Sequence, residues 1–485
     1  MLAPSPQVKA IKRRTRRDPN PRFKPDVSGQ LDAIAGCPAV FVDKDHLVCG
    51  VLEIVARFDC SEVEKKYSSL GRHGYAPRHV TGALVYGSLL GIHHSTKLAR
   101  AMKTDAALRL VAGGHAISEG ALRRFRRENR ALFERALKQT VEMAHELKLV
   151  DASQLSVDSV RLRAHASTEA VRTVTRSQKR LEELSKVAVD QLTADELAKH
   201  QGKVELHRSA IAQCEALNRT NVVTTNPSAS LMKFPNGASG PGHRTTVTAT
   251  GSSARIVLDL LIDSSANDFG QLQGAAERTR DALKKAGVPV IGPFSLAADA
   301  GYFSEADIIF AAANEEWVNV LVRERPEHGL KSKSGEKFFT RADFEVVDAK
   351  TARCPAGKAM SGPTKDGAGL VWKGVGCAEC PLKSRCTDRA TRQLTIRPEF
   401  EKAKQALRAR MTAPGAEERY NKRIATIEPV FSVLEDAMGF RRVSSRNEEA
   451  VRAEITLKFL AYNISRLLAA RKLCRVRVML TWESA

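Results

Sequence analysis

At 485 residues the chain is too long for one compact core and points to roughly two to four domains. Its formal charge of +22 argues for a polyanionic partner, nucleic acid first, without speaking to fold. No apolar run reaches the ~18 residues of a membrane span, the basic N-terminus lacks an apolar signal core, and the nine cysteines do not fit a secreted disulfide framework, so a cytoplasmic protein with reduced or metal-bound thiols is expected.

Residues 1–50 begin with a basic cluster at positions 12–17 among Pro, Asn and Asp, which reads either as an arm lying along phosphates or as a solvated tail. Residues 51–150 are rich in helix formers. One run opens at Pro77 and reaches Met102, and a second extends over residues 118–149. Behind the Gly113-Gly114 turn and a Ser118 cap, Arg123, Arg124, Arg126 and Arg127 crowd onto about one and a half turns. Such a cluster is either a recognition helix or a solvated face.

Residues 155–163 form a short β-prone run that carries Asp158. Residues 168–218 are dense in Glu, Lys, Arg, Leu and Ala and read as one long helix or a helical hairpin. A loop over 221–233 precedes two strands, 244–250 and 254–262, joined by a turn at 251–253. A helix opening at Asn267-Asp268 and running to Ala286 follows. An apolar run from Phe294 ends in Asp299, with Gly301 as a turn and Ser304 as cap for a helix from Glu305; residues 317–322 supply the next strand.

Residues 323–416 form an insert with four of the cysteines, Cys354, Cys377, Cys380 and Cys386. A Cys-x-x-Cys pair with two more in reach can make a tetrahedral thiolate zinc site stapling a loop-rich segment, or the four remain free thiols.

Residues 417–471 hold the stretch that organises the rest. Tyr420, Ile424, Ile427, Phe431, Leu434 and Met438 recur at steps of four and three, one stripe of an amphipathic helix, with Glu428 at its edge. A carboxylate beside a core needs a reason, and metal ligation is one. The string from Tyr420 through Arg423 and Glu428 to Phe431 resembles the tyrosine, arginine and glutamate signature of bacterial insertion-sequence transposases of the DDE type. The runs around Asp158 and Asp299 resemble the two aspartate strands of that family, and the helical block 51–150 resembles its N-terminal DNA-binding domain.

That resemblance implies an α/β fold: a ribonuclease-H-like catalytic core with a mixed five-stranded sheet, interrupted by the helical spacer and the Cys-containing insert, after an all-helical DNA-binding domain. Asp158, Asp299 and Glu428 would hold two Mg²⁺ or Mn²⁺ ions, and Tyr420 and Arg423 would contact DNA near the cleavage site. The implied partner is double-stranded DNA, both element ends and target, bound by a homo-oligomer such as a dimer. The implied activity is cleavage and strand transfer at terminal inverted repeats. A metal-dependent nuclease without strand transfer and a transposase-derived repressor are the alternatives. One departure stands out: Glu435 occupies the position where the family usually has a lysine.

Overall fold

The computed structural model describes residues 23–29, 38–68, 73–251, 253–265, 269–325, 337–348 and 350–482, with side chains described as far as Arg471. The basic cluster at 12–17 and the expected helix start at 267–268 lie outside the described residues. The chain divides after Ala136 into two units.

The first unit is helical, with α1 (Leu47–Ala56), a single turn α2 (Ser61–Glu64), α3 (Pro77–Leu89), α4 (Ser95–Ala101), α5 (Ala106–Val111), α6 (Glu119–Glu128) and the first turns of α7 (Arg130–Glu146). Local chemistry sets the starts. Pro77 occupies the first turn of α3, where its missing N–H costs nothing. Asp105 and Ser118 cap α5 and α6 by accepting from the N–H groups of Leu108 and Ala121 at 2.8 and 3.3 Å. Both long runs expected from the sequence are broken. Gly91, at φ +72°, separates α3 from α4, and Asn129 ends α6 by donating to the Phe125 carbonyl at 2.8 Å. Ile54, Val55, Leu84, Leu98, Met102, Leu108, Leu122 and Phe133 fill the core. Gly82 lets α3 approach α5, since a Cβ there would stand 2.7 Å from the Val111 side chain.

The second unit is α/β. Its strands are β1 (Leu155–Arg163), β2 (Val171–Thr173), β3 (Asn221–Val223), β4 (Ser230–Lys233), β5 (Ser239–Thr250), β6 (Val257–Asp263), β7 (Phe294–Ala298) and β8 (Val318–Val322). The main sheet runs β4-β5-β1-β7-β8, with β6 paired to β5 beyond the short β4. The β6-β5-β1 part is antiparallel, whereas β1-β7-β8 is parallel. This order is consistent with a ribonuclease-H-like core, with β4 as a sixth strand where the sequence predicts a loop over 221–233.

The spacer is a helical hairpin, α8 (Val174–Ser185) and α9 (Ala194–Ala216), the second opened by a Thr193/Glu196 capping box. The hairpin stands on the β2-β3 ladder. Helix α10 (Leu272–Lys285) lies along β5 and β6, where Thr279 donates to Thr248 and Arg278 pairs with Asp259 at 2.7 Å. Helix α11 (Glu305–Ala313) begins at the expected cap, Ser304, which accepts from the Asp307 N–H at 3.2 Å.

The insert holds β9 (Glu345–Val346), β10 (Ala352–Arg353), β11 (Ser361–Asp366), β12 (Gly369–Lys373) and β13 (Gln393–Ile396), in one two-stranded and one three-stranded sheet. It ends earlier than residue 416, because α12 (Pro398–Thr412) packs on α11 and β8. Helix α13 (Ala416–Ser432) then continues into a π-helical turn, Val433–Ala437, and α14 (Glu448–Trp482) closes the chain.

Candidate active site

Strand alternation decides what shares a face. On β1, Ser156 and Asp158 point away from the side that α10 covers, because Val157 aligns with Thr248, the residue bonded to α10. The opposite face is covered by α13, which packs on β1, β5, β7 and β8. There Tyr420 and Ala416 meet Ala297 and Leu321 in one apolar cluster.

The parallel register of β1 with β7 pairs Leu155 with Leu296, Ser156 with Ala297 and Val157 with Ala298. Asp158 and Asp299 are the residues that directly follow that last pair, so the register sets them at adjacent positions, Asp158 within β1 and Asp299 just past the end of β7. One oxygen of each carboxylate is pinned by backbone: Asp158 Oδ1 accepts from the Ser159 N–H at 2.7 Å, and Asp299 Oδ1 accepts from the Gly301 N–H at 2.8 Å. The other oxygen of Asp158 lies 3.5 Å from Arg423 Nη1 of α13. Carboxylate oxygens of this kind are hard donors that suit Mg²⁺ or Mn²⁺.

Around Arg423 the site is aromatic and basic. The Tyr420 ring carries the Arg323 guanidinium at 4.8 Å and that of Arg423 at 5.8 Å. Tyr420 is 7% exposed, and Arg423 Nε is buried without a hydrogen-bond partner.

Of the expected stripe along α13 and the turn after it, Tyr420, Ile427, Leu434 and Met438 are buried and Phe431 is half-buried, whereas Ile424 is 50% exposed. The inward row is Arg423, Ile427, Val430 and Leu434, so Glu428, one turn past Ile424, faces solvent. Among the described residues, no three His, Cys, Asp or Glu side chains are grouped as a metal ion would hold them. The register thus sets the two aspartates at adjacent positions of β1 and the end of β7, while Glu428 is exposed on α13.

Residues with no signal in the sequence hold that helix end and the segments that follow it. Pro429 lacks an N–H and so orphans the carbonyl of Ala425, four residues back. Arg255 Nε donates to that carbonyl at 2.8 Å, and the Arg255 carbonyl in turn accepts from Tyr462 Oη at 3.0 Å. After the π-turn the chain docks on the end of β1, with the Arg163 N–H donating to Arg441 O and the Val443 N–H to Arg163 O. Fully buried Glu454 then accepts from the N–H and hydroxyl groups of both Ser444 and Ser445, at 2.6 to 3.0 Å. Buried Asn463 completes the start of β6 by exchanging hydrogen bonds with both backbone groups of Val257. Glu435, within the π-turn, is half-buried; burial pushes its carboxyl above the ordinary range, opposed by Arg441.

The other residues singled out in the sequence are placed as follows. On α6, Arg123, Arg124 and Arg127 are exposed, the first and last beside Glu119 and Glu128 at 3.3 and 3.0 Å. Arg126 is turned inward at 7% exposure and donates to the His93 carbonyl at 3.0 Å, so it braces the helix instead of offering charge to a ligand. Cys354, Cys377, Cys380 and Cys386 line one cavity in the insert.

Two family models match the chain, a Transposase domain (DUF772) over residues 39–128 and a Transposase DDE domain over residues 353–468. The first spans α1 to α6; the second spans the four cysteines, Tyr420, Arg423 and Glu428, whereas Asp158 and Asp299 lie outside both. No curated protein matches the chain.

Proposed function

The chain belongs to the DDE transposases of insertion sequences, and from that premise we propose that it binds the terminal inverted repeats of its element, cleaves there, and joins the exposed 3′-hydroxyls to target DNA. The observation that carries the reading is the register of β1 with β7, which sets Asp158 and Asp299 side by side under a helix bearing Arg423 and Glu428.

Asp158 and Asp299, joined by Glu428, are the residues that would hold divalent ions, which would supply activation of the attacking oxygen and stabilisation of the leaving alkoxide. The backbone N–H groups of Ser159 and Gly301 fix the two aspartate carboxylates, so their orientation is set before DNA arrives. Arg423 pairs with Asp158 and lies over the Tyr420 ring, and a guanidinium so placed would be in reach of a scissile-strand phosphate. Glu428, exposed beside Pro429 within α13, would be the third carboxylate of the set. The exposed Arg123, Arg124 and Arg127 of α6 contact phosphates of the repeat, sequence-independent contacts that set register. The active species is a homodimer holding two ends.

Incubation of the full chain with Mg²⁺ and a supercoiled plasmid carrying both element ends tests this. Joined products support strand transfer; nicks alone identify a nuclease, and retarded but intact DNA identifies a binding protein.

A further inference from the structure

Among the described residues of the insert, one core cluster gathers six buried side chains, Phe344, Ala352, Met360, Trp372, Leu394 and Ile396, spread over two small sheets. A core of that size is marginal, and natural domains so small are commonly held by a metal or by disulfides. Cys354 and Cys386 pack at the rim of this core, and the described cysteines of the insert are all free thiols.

Two sets of turns aim the thiols at one place. Cys354 opens a tight turn closed by Gly357 N–H to Cys354 O at 2.8 Å and Cys354 N–H to Lys358 O at 2.9 Å, with Gly357 at φ +75°. Cys377, Cys380 and Cys386 follow on consecutive turns, linked by Lys383 N–H to Cys380 O at 3.0 Å and Cys386 N–H to Lys383 O at 2.9 Å. Gly374 is required for this, because a Cβ there would stand 2.6 Å from Cys377 Sγ. All four cysteines line a single cavity, and the other three each bear electrostatically on Cys386. Lys358, Lys383 and Arg392 line it too, matching the net negative charge of four thiolates around one Zn²⁺. A disulfide pair would leave this convergence of four sulfurs and three cations without a purpose.

We propose that Cys354, Cys377, Cys380 and Cys386 form a tetrahedral four-thiolate zinc site that locks the two turns of the insert together, independently of the DNA chemistry. In the structure no three of these thiols are yet grouped as a metal ion would hold them, and Zn–S bonds of about 2.3 Å would draw the two turns together.

The full-length chain purified without chelator tests the site by elemental analysis. About one zinc per chain should survive dialysis and be released by a mercurial thiol reagent into a chromophoric chelator. Cobalt exchanged into the site should show the thiolate charge-transfer and d–d absorption of a tetrahedral sulfur site. Cys377→Ser should retain less than about a tenth of the zinc. Should that variant fail to fold, alkylation of the wild-type chain decides: zinc must protect all four cysteines together, and chelation must expose them together. Zinc below about a tenth per chain after loading, or equal alkylation of Cys354 with and without zinc, overturns the proposal.

Discussion

Helix α13 keeps a proline in its interior because Arg255 takes the orphaned carbonyl, and the strength of that exchange can be measured. The Arg255–Ala425 bond is charge-assisted and 2.8 Å long but solvent-accessible, so its loss in Arg255→Ala is worth about 1 kcal/mol. For a unit of this size that lowers Tm by about 2 °C. Pro429→Ala restores an N–H to the same carbonyl and removes the ring clash, so it raises Tm; it also straightens the helix next to Glu428 and lowers Mg²⁺-dependent cleavage. In the Pro429→Ala background, Arg255→Ala should cost almost nothing, because Ala425 O already has a partner, giving a coupling energy of about 1 kcal/mol between residues 174 positions apart (429 − 255). Thermal melts of the four proteins, with plasmid cleavage in parallel, read out the cycle. Equal loss from Arg255→Ala in both backgrounds would refute the argument.

Asp158→Asn, Asp299→Asn and Glu428→Gln should each abolish cleavage and joining while leaving end binding in gel-shift assays largely intact, and a variant that keeps strand transfer removes its residue from the set. Alanine at Arg123, Arg124 or Arg127 should each reduce the slope of log affinity against log salt by about 0.9, whereas Arg126→Ala should leave the slope unchanged and cost about 1–3 kcal/mol of stability, since His93 O loses its donor. Burial holds the His243 imidazole down to about 4, against about 6.5 in the unfolded chain, so the unfolded state gains its proton first: stability is constant above pH 6.5, falls by about 3 kcal/mol as pH drops to 4, and His243→Gln flattens that fall in pH-dependent melts. Because burial raises the Glu435 carboxyl, its charged form is the disfavoured one, and Glu435→Gln should stabilise the chain at pH 7 but not at pH 4; an equal gain at both would show that charge is not the cause.

The strand positions of the aspartates were legible because Asp158 sits within a short β-prone run and Asp299 ends an apolar one. Ser304 and Ser118 were legible as caps because capping is local chemistry. What escaped the sequence depends on partners far along the chain. Four arginines on α6 look alike until His93 claims Arg126. Ile424 fits the apolar period of α13, yet Arg423 takes the inward position because Asp158 is there to receive it. Glu454 and Asn463 read as ordinary polar residues of a helix, and only the serine pair and the edge of β6 explain their complete burial. The π-turn at Glu435 has no local signal beyond Pro429.

The β2-β3 ladder has a consequence for how this protein can change. The α8-α9 arm leaves and re-enters the molecule through two antiparallel strands, Val171 beside Val223 and Thr173 beside Asn221, so its two ends are clamped together whatever its length. Closure is therefore settled at the base, and each doubling of an arm beyond it adds only about 0.6 kcal/mol of chain entropy. The arm behaves as an interchangeable cartridge: it can be lengthened, trimmed by whole helical turns or exchanged for another antiparallel pair of helices without shifting β1 or β4 by a residue. Variation in reach or in surface charge can accumulate there while the register that aligns Asp158 with Asp299 stays untouched.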